Sequence, residues 1–277
     1  MKKLLQRTAL AAAGLFVVGA QAGPFILAGT DADDHGFANS SGNQDGWFFM
    51  QRALENLAAG VTNGNKTVYT LGSSSSALTA ANSAFSLSSL AGLGGWTVVN
   101  LDGAAAINTF FSGVGVGSAG ILMLDSGDGN VTGGLSADEL TALTINASAI
   151  NSFVGSGGGL FSQANGYSWL SGLLPSLSVA TDQERGLALT ASGSAAFPGL
   201  NNADLSAGPY HQNFLNVGSI PVLATGIGSV SRYNVIIGAS GGSITNPVPA
   251  IPEPSTYALM LAGLGLVGFM ARRRRAL

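Results

Sequence analysis

Residues 120–162 set the tightest limit on what this chain can fold into. Residues 120–124 read Gly-Ile-Leu-Met-Leu, an apolar run too short for a helix, and it ends at the polar turn Asp125-Ser-Gly-Asp-Gly129. Ser136-Ala-Asp-Glu139 then spells a helix capping box, and Leu140, Leu143, Ile150 and Phe153 continue the apolar spacing up to Gly155-Ser-Gly-Gly-Gly159. Residues 160–162 resume as a strand. Parallel strands need a crossover of a dozen or more residues, usually a helix, and this stretch supplies one.

The same alternation runs along the rest of the chain. Residues 25–28 are apolar and lead into Gly29-Thr30-Asp31, which reads as a buried strand entering a polar loop. Asp45 stands where a helix N-cap belongs, and Trp47, Met50, Leu54 and Leu57 recur at helical spacing, predicting a helix over 46–59 that stops at Gly60. Residues 66–71, 96–101, 222–224 and 234–237 are further strand candidates. Residues 73–89 are low-complexity Ser and Ala and support no assignment. The expected fold is a single α/β domain over 23–245, with a mainly parallel sheet covered by helices. A β-rich sandwich is the alternative, argued from abundant Gly, Ser, Thr and Asn, with two well-capped helices against it.

Charge narrows the function. Only 9% of residues are charged, against about 25% in an average soluble protein, so the surface must be built mainly from uncharged polar residues and glycine. Seven of the eleven basic residues lie at the two ends; between residues 23 and 256 only Arg52, Lys66, Arg185 and Arg232 face fourteen acids. Such a body is not made for nucleic acid, which needs clustered Lys and Arg. The absence of cysteine removes disulfides, thiolate metal sites and cysteine nucleophiles together.

The ends carry targeting signals. Lys2, Lys3 and Arg7, an apolar run over 9–20 and Ala20-Gln21-Ala22 form the pattern of a secretory signal peptide over 1–22, implying export by Sec-type machinery. At the other end Pro252, Glu253 and Pro254 precede an apolar stretch over 257–271 and then Arg272, Arg273, Arg274 and Arg275. At about 1.5 Å per residue that stretch reaches roughly 22 Å against a hydrocarbon core of about 30 Å, so a transmembrane helix there needs its flanks or a thinned bilayer. The arginines are expected to stay cytoplasmic. Residues 246–251, with two prolines, form a stiff spacer. The ordered elements over 252–277 resemble the PEP-CTERM sorting signal of Gram-negative bacteria. The resemblance implies a transient inner-membrane anchor, removal of the tail by a membrane-embedded exosortase, and delivery to the cell surface or an exopolysaccharide matrix.

Three stretches of the body, Gly29-Thr-Asp-Ala-Asp-Asp-His35, Ile121-Leu-Met-Leu-Asp125 and the helix-to-strand sequence over 150–162, resemble the class I glutamine amidotransferase-like fold over about residues 24–242. In catalytic members of that superfamily a cysteine occupies the turn after the strand that here ends at Ser162. This chain has none, so the resemblance implies the fold without glutaminase chemistry.

Candidate chemistry sits at expected strand ends. Asp31, Asp33, Asp34 and His35 place three carboxylates and an imidazole within five residues, and Asp125 stands at a neighbouring strand end. Oxygen ligands suit Ca²⁺ or Mg²⁺, while histidine moves the preference towards Mn²⁺ or Zn²⁺, so these residues are a candidate divalent-cation or ligand site. A solvated polar loop is the plain alternative. No EF-hand spacing and no HExxH motif is read in the chain. His211, the only other histidine, is expected in a loop beside Tyr210, Gln212 and Asn213, either as a plain exposed side chain or lining a pocket with His35. Ser162 has a nucleophile's strand-to-helix position without the G-x-S-x-G elbow. Trp47, Trp96, Trp169, Tyr167 and Tyr210 would stack on sugar rings if exposed, but the core is the expected place for them. These features favour a surface-sorted, non-enzymatic binding or matrix-associated protein without a resident cofactor. The alternative is a hydrolase-like or metal-binding domain using Asp31 to His35 with His211.

Overall fold

Apolar runs become strands whose side chains alternate between two cores. The computed structural model describes residues 24–227 and 233–239. In chain order these form β1 (Phe25–Ala28), a hairpin of β2 (Gly36–Asn39) and β3 (Gly42–Gln44), α1 (Asp45–Gly60), β4 (Thr67–Leu71), α2 (Ser75–Ser86), β5 (Thr97–Leu101), α3 (Ala104–Ser112) and β6 (Ile121–Leu124). There follow α4 (Ala137–Ile145), α5 (Ala147–Gly155), β7 (Gly159–Ser162), β8 (Ser178–Arg185), β9 (Leu187–Leu189), α6 (Ala191–Ala196), α7 (Asn202–Leu205), β10 (Pro209–Leu215), β11 (Val222–Gly226) and β12 (Asn234–Ala239).

The centre of the sheet is parallel, in the order β5-β4-β6-β7-β1. β12 joins β1 antiparallel, β10 and β8 continue beyond it antiparallel, and β11 pairs with β12 and β9. Helices cover both faces, which excludes the sandwich. Ile26, Ile121, Met123 and Phe161 face one core with Met50 and Leu54 of α1 and Ala80 and Ala84 of α2. Phe25, Leu27, Leu122, Leu124 and Leu160 face the other with Phe110 of α3, Leu143 of α4 and Phe153 of α5. That period of two is what a strand buried on both faces requires.

Local expectations are corrected at several points. The N-cap of α1 is Gln44, and Asp45 is its first residue, held at a φ of +54°. The low-complexity stretch forms α2, whose Ala77, Ala80, Ala81 and Ala84 are buried. The long helix expected after Ser136 is two helices. Asn146 ends α4 and starts α5, and its Nδ2 donates to the Ala142 carbonyl (2.8 Å) and to Asn108 Oδ1 (2.8 Å), a local bond that competes with helix continuation. The expected leader over 1–22, the spacer over 246–251 and the apolar helix over 257–271 lie outside the described residues, among which no helix is long and apolar enough to cross a membrane.

Topology positions the site. From β4 the chain crosses one face through α2 to the outer strand β5; from β6 it crosses the opposite face through α4 and α5 to β7. The loops leaving these adjacent strands therefore diverge, which is where open parallel sheets form a crevice at their carboxyl ends.

Candidate functional site

Four strand ends, those of β4, β6, β7 and β1, deliver Ser73, Asp125 with Ser126, Ser162 with Gln163, and Thr30 with Asp31 to one edge of the sheet, all of them buried. β10 is drawn against this edge through Gly29, whose carbonyl accepts from the backbone N–H of His211 (2.8 Å) and of Gln212 (3.1 Å). A side chain on residue 29 would place its Cβ 1.9 Å from the Gln212 carbonyl oxygen, so this approach requires glycine.

The close approach brings His211 to Asp31. His211 Nε2 lies 2.9 Å from Asp31 Oδ2, and His35 Nε2 lies 3.5 Å from the same oxygen and 3.7 Å from Asp34 Oδ2. The turn after β1, closed by Asp34 N–H on the Asp31 carbonyl (3.0 Å), folds Asp34 and His35 back over Asp31. His211 lies within β10 and not in the loop expected for it. Burial pushes the Asp31 carboxyl up to about 7, a rise that the nearby His35 moderates; burial also lowers the His211 imidazole.

Asp33 points the other way, into the protein. Its Oδ1 accepts from Ser126 Oγ (2.7 Å) and its Oδ2 from Ser126 N–H (2.9 Å), while its own N–H donates to Gln163 Oε1 (3.1 Å). Burial raises its carboxyl to about 6 against these bonds. Asp125, fully buried, accepts from Ser73 Oγ across the divergent loops; burial and the neighbouring Asp33 hold its carboxyl well above the usual range. Glu139 sits beside it, with Oε1 accepting from Gly103 N–H (2.8 Å) and Oε2 from Ser136 N–H (2.8 Å). Gly103 and Ser136 cap α3 and α4, so helix N-termini supply the positive potential here. Among the described residues, the one ion pair with a Lys or Arg is Arg52 with Glu55, away from these acids.

The candidate residues therefore divide into two groups. Asp31, Asp34, His35 and His211 converge at the surface; Asp33 and Asp125 belong to an interior network with Ser73, Ser126 and Glu139. Ligand atoms of Asp31, Asp34 and His35 lie within 4.8 Å of one another, and Asp31 Oδ1 is buried with no hydrogen-bond partner. Two imidazoles and two carboxylates suit Zn²⁺, Mn²⁺ or a similar cation, and the partial exposure of His35, His211 and Asp34 gives such an ion a way in. Ser162 is fully buried and accepts from Asn165 Nδ2 (2.8 Å), with His211 committed to Asp31, so no serine nucleophile is assembled. Trp169, Tyr167 and Tyr210 are core side chains and Trp47 and Trp96 are half-buried against it, so these rings present no sugar platform. Ser73, Ser126 and Gln163 carried no sequence signal beyond their place just after a strand.

Comparison with known proteins bears on the C-terminal segment. Residues 250–275 match the family model of the PEP-CTERM protein-sorting motif, which spans Pro252, Glu253, Pro254 and the arginines. That motif marks exported, surface-directed proteins of the exosortase-processed kind. No curated protein and no solved structure matches the chain, and nothing in these comparisons supports the amidotransferase-like resemblance of the body.

Proposed function

We propose that this chain is exported through a Sec-type route, held briefly at the inner membrane by its apolar tail, and released by an exosortase-type protease to the cell surface or exopolysaccharide matrix. There its body acts as a non-catalytic domain that holds a divalent transition-metal cation on Asp31, Asp34, His35 and His211. The observation that carries the body's role is the convergence of His211 and His35 on one oxygen of Asp31, whose second oxygen is buried and unpartnered. The α/β architecture is compatible with an amidotransferase-like ancestry, but the chain has no cysteine for that chemistry. A hydrolytic role for the bound cation is the second reading, favoured by the partial exposure of His35 and Asp34, through which water would reach the ion.

The test is a titration of the EDTA-treated full chain with Zn²⁺ and Mn²⁺. Saturable 1:1 binding that is lost in His211→Ala and in His35→Ala supports the reading. Binding that survives both substitutions sinks it.

A further inference from the structure

The loop between β6 and α4 carries a second arrangement of ligand-bearing residues, unrelated to the histidine cluster. In the register of the 12-residue calcium loop, Asp128, Asn130 and Thr132 take positions 1, 3 and 5, Gly133 position 6, Leu135 position 8, Ser136 position 9 and Glu139 position 12. Thr132 stands where the strict pattern has Asp or Asn, which hides the spacing in the sequence. The strict EF-hand motif is absent, and this loop departs from it at one ligand position.

The structure supports that register at three places. Gly133 has a φ of +81° and turns the chain sharply where the loop requires glycine; a Cβ there would also meet the Ser74 carbonyl oxygen at 2.3 Å. Leu135 is fully buried and fixes the loop, its N–H donating to the Ser126 carbonyl (2.8 Å) and its carbonyl accepting from Asp128 N–H (3.0 Å). Ser136 caps α4, which puts Glu139 in its first turn, 3% exposed. Asn130 Nδ2 donates to the Ala164 carbonyl (3.1 Å), which leaves its side-chain oxygen as the ligand atom. Glu139 Oε1 accepts from Gly103 N–H and retains a lone pair, whereas its Oε2 already takes the Ser136 N–H and hydroxyl.

An independent observation points to a missing positive charge in the same place. Asp125, which precedes the loop, is fully buried with Oδ1 unpartnered, and no Lys or Arg pairs with Asp125, Asp128 or Glu139 among the described residues. We propose that residues 128–139 bind one calcium ion through Asp128, Asn130, Thr132 and Glu139, at a site separate from the Asp31 cluster. All-oxygen ligation favours a hard cation, and calcium accepts irregular coordination more readily than magnesium does.

The experiment is calorimetric titration of the EDTA-treated full chain with CaCl₂, paired with thermal unfolding. Saturable binding with a Kd of about 10⁻⁴–10⁻³ M, as in extracellular calcium modules, is expected, together with weaker binding of Mg²⁺. Asp128→Asn should weaken calcium binding at least about tenfold by removing one charged ligand, and Asp31→Asn should leave it unchanged. Glu139→Gln should act as Asp128→Asn does, but Glu139 also caps α4, so the exposed Asp128 carries the decision. No calcium response by the folded chain, full binding by Asp128→Asn, or loss in Asp31→Asn instead would overturn the proposal, and none of these outcomes touches the zinc titration.

Discussion

Asp31 is buried like a structural residue and partnered like a ligand. Its carboxyl, raised by burial to about 7, must lose its proton to bind a cation, so affinity for Zn²⁺ should climb as pH rises through neutrality. Asp31→Asn separates the two roles. It should reduce Zn²⁺ affinity at least about tenfold while making the metal-free protein more stable at pH 8, where the wild-type carboxylate is ionised and buried, and not at pH 5. Urea midpoints at the two pH values decide this; a loss of stability at pH 8 would mean that the carboxylate is held by favourable contacts. Gly29→Ala tests how the site is brought together. Its Cβ meets backbone and not a movable side chain, so a cost of about 1–3 kcal/mol is expected in the urea midpoint, with weakened Zn²⁺ binding because β10 carries His211 away. The acids and His35 were readable because they adjoin in sequence. His211 enters 180 positions after Asp31, and nothing local to it marks a strand that crosses Gly29.

At the level of elements, legibility followed side-chain size and spacing. α4 announced itself through Ser136 and Glu139, and the reciprocal bonds of its capping box are present in the structure. Ser136→Ala should cost about 1 kcal/mol, seen as a lower urea midpoint with unchanged slope. An unchanged midpoint would show that Gly103 and the tertiary packing hold Glu139 without the cap. α2 was illegible because its buried face is mostly alanine, which gives the sequence little contrast with serine. β8 was illegible for the opposite reason: it is an edge strand of mostly polar residues, Ser178–Arg185, specified by its pairing with β10 and not by its own pattern.

For the whole molecule, the concentration of buried carboxyls sets a pH dependence. Asp31, Asp33 and Asp125 all have folded-state values raised chiefly by burial, so their neutral forms favour folding at low pH and that contribution is lost as pH rises through about 6 and 7. His211, lowered by burial, works in the opposite direction below its unfolded value of 6.5, but it is one group against three. The metal-free protein should therefore unfold at lower urea at pH 8 than at pH 5, and added Zn²⁺ should narrow the difference. A midpoint that rises with pH would refute this account. Sorting has its own test: intact mass from membrane and extracellular fractions of the native host should show loss of residues 1–22 and of the segment beyond Pro254. Persistence of Arg272 to Arg275 in the membrane fraction would make the tail a lasting anchor.

The sequence by itself determined the parallel α/β core and the sorting tail, because both depend on local order: apolar runs of strand length between crossover helices, and Pro-Glu-Pro ahead of an apolar stretch and arginines. Only the tertiary structure decided which acids share a site. Along a turn, Asp31 and Asp33 are near neighbours of the same chemical kind; once β10 packs against Gly29 and β6 ends beside β1's loop, one faces a pair of imidazoles and the other a buried serine.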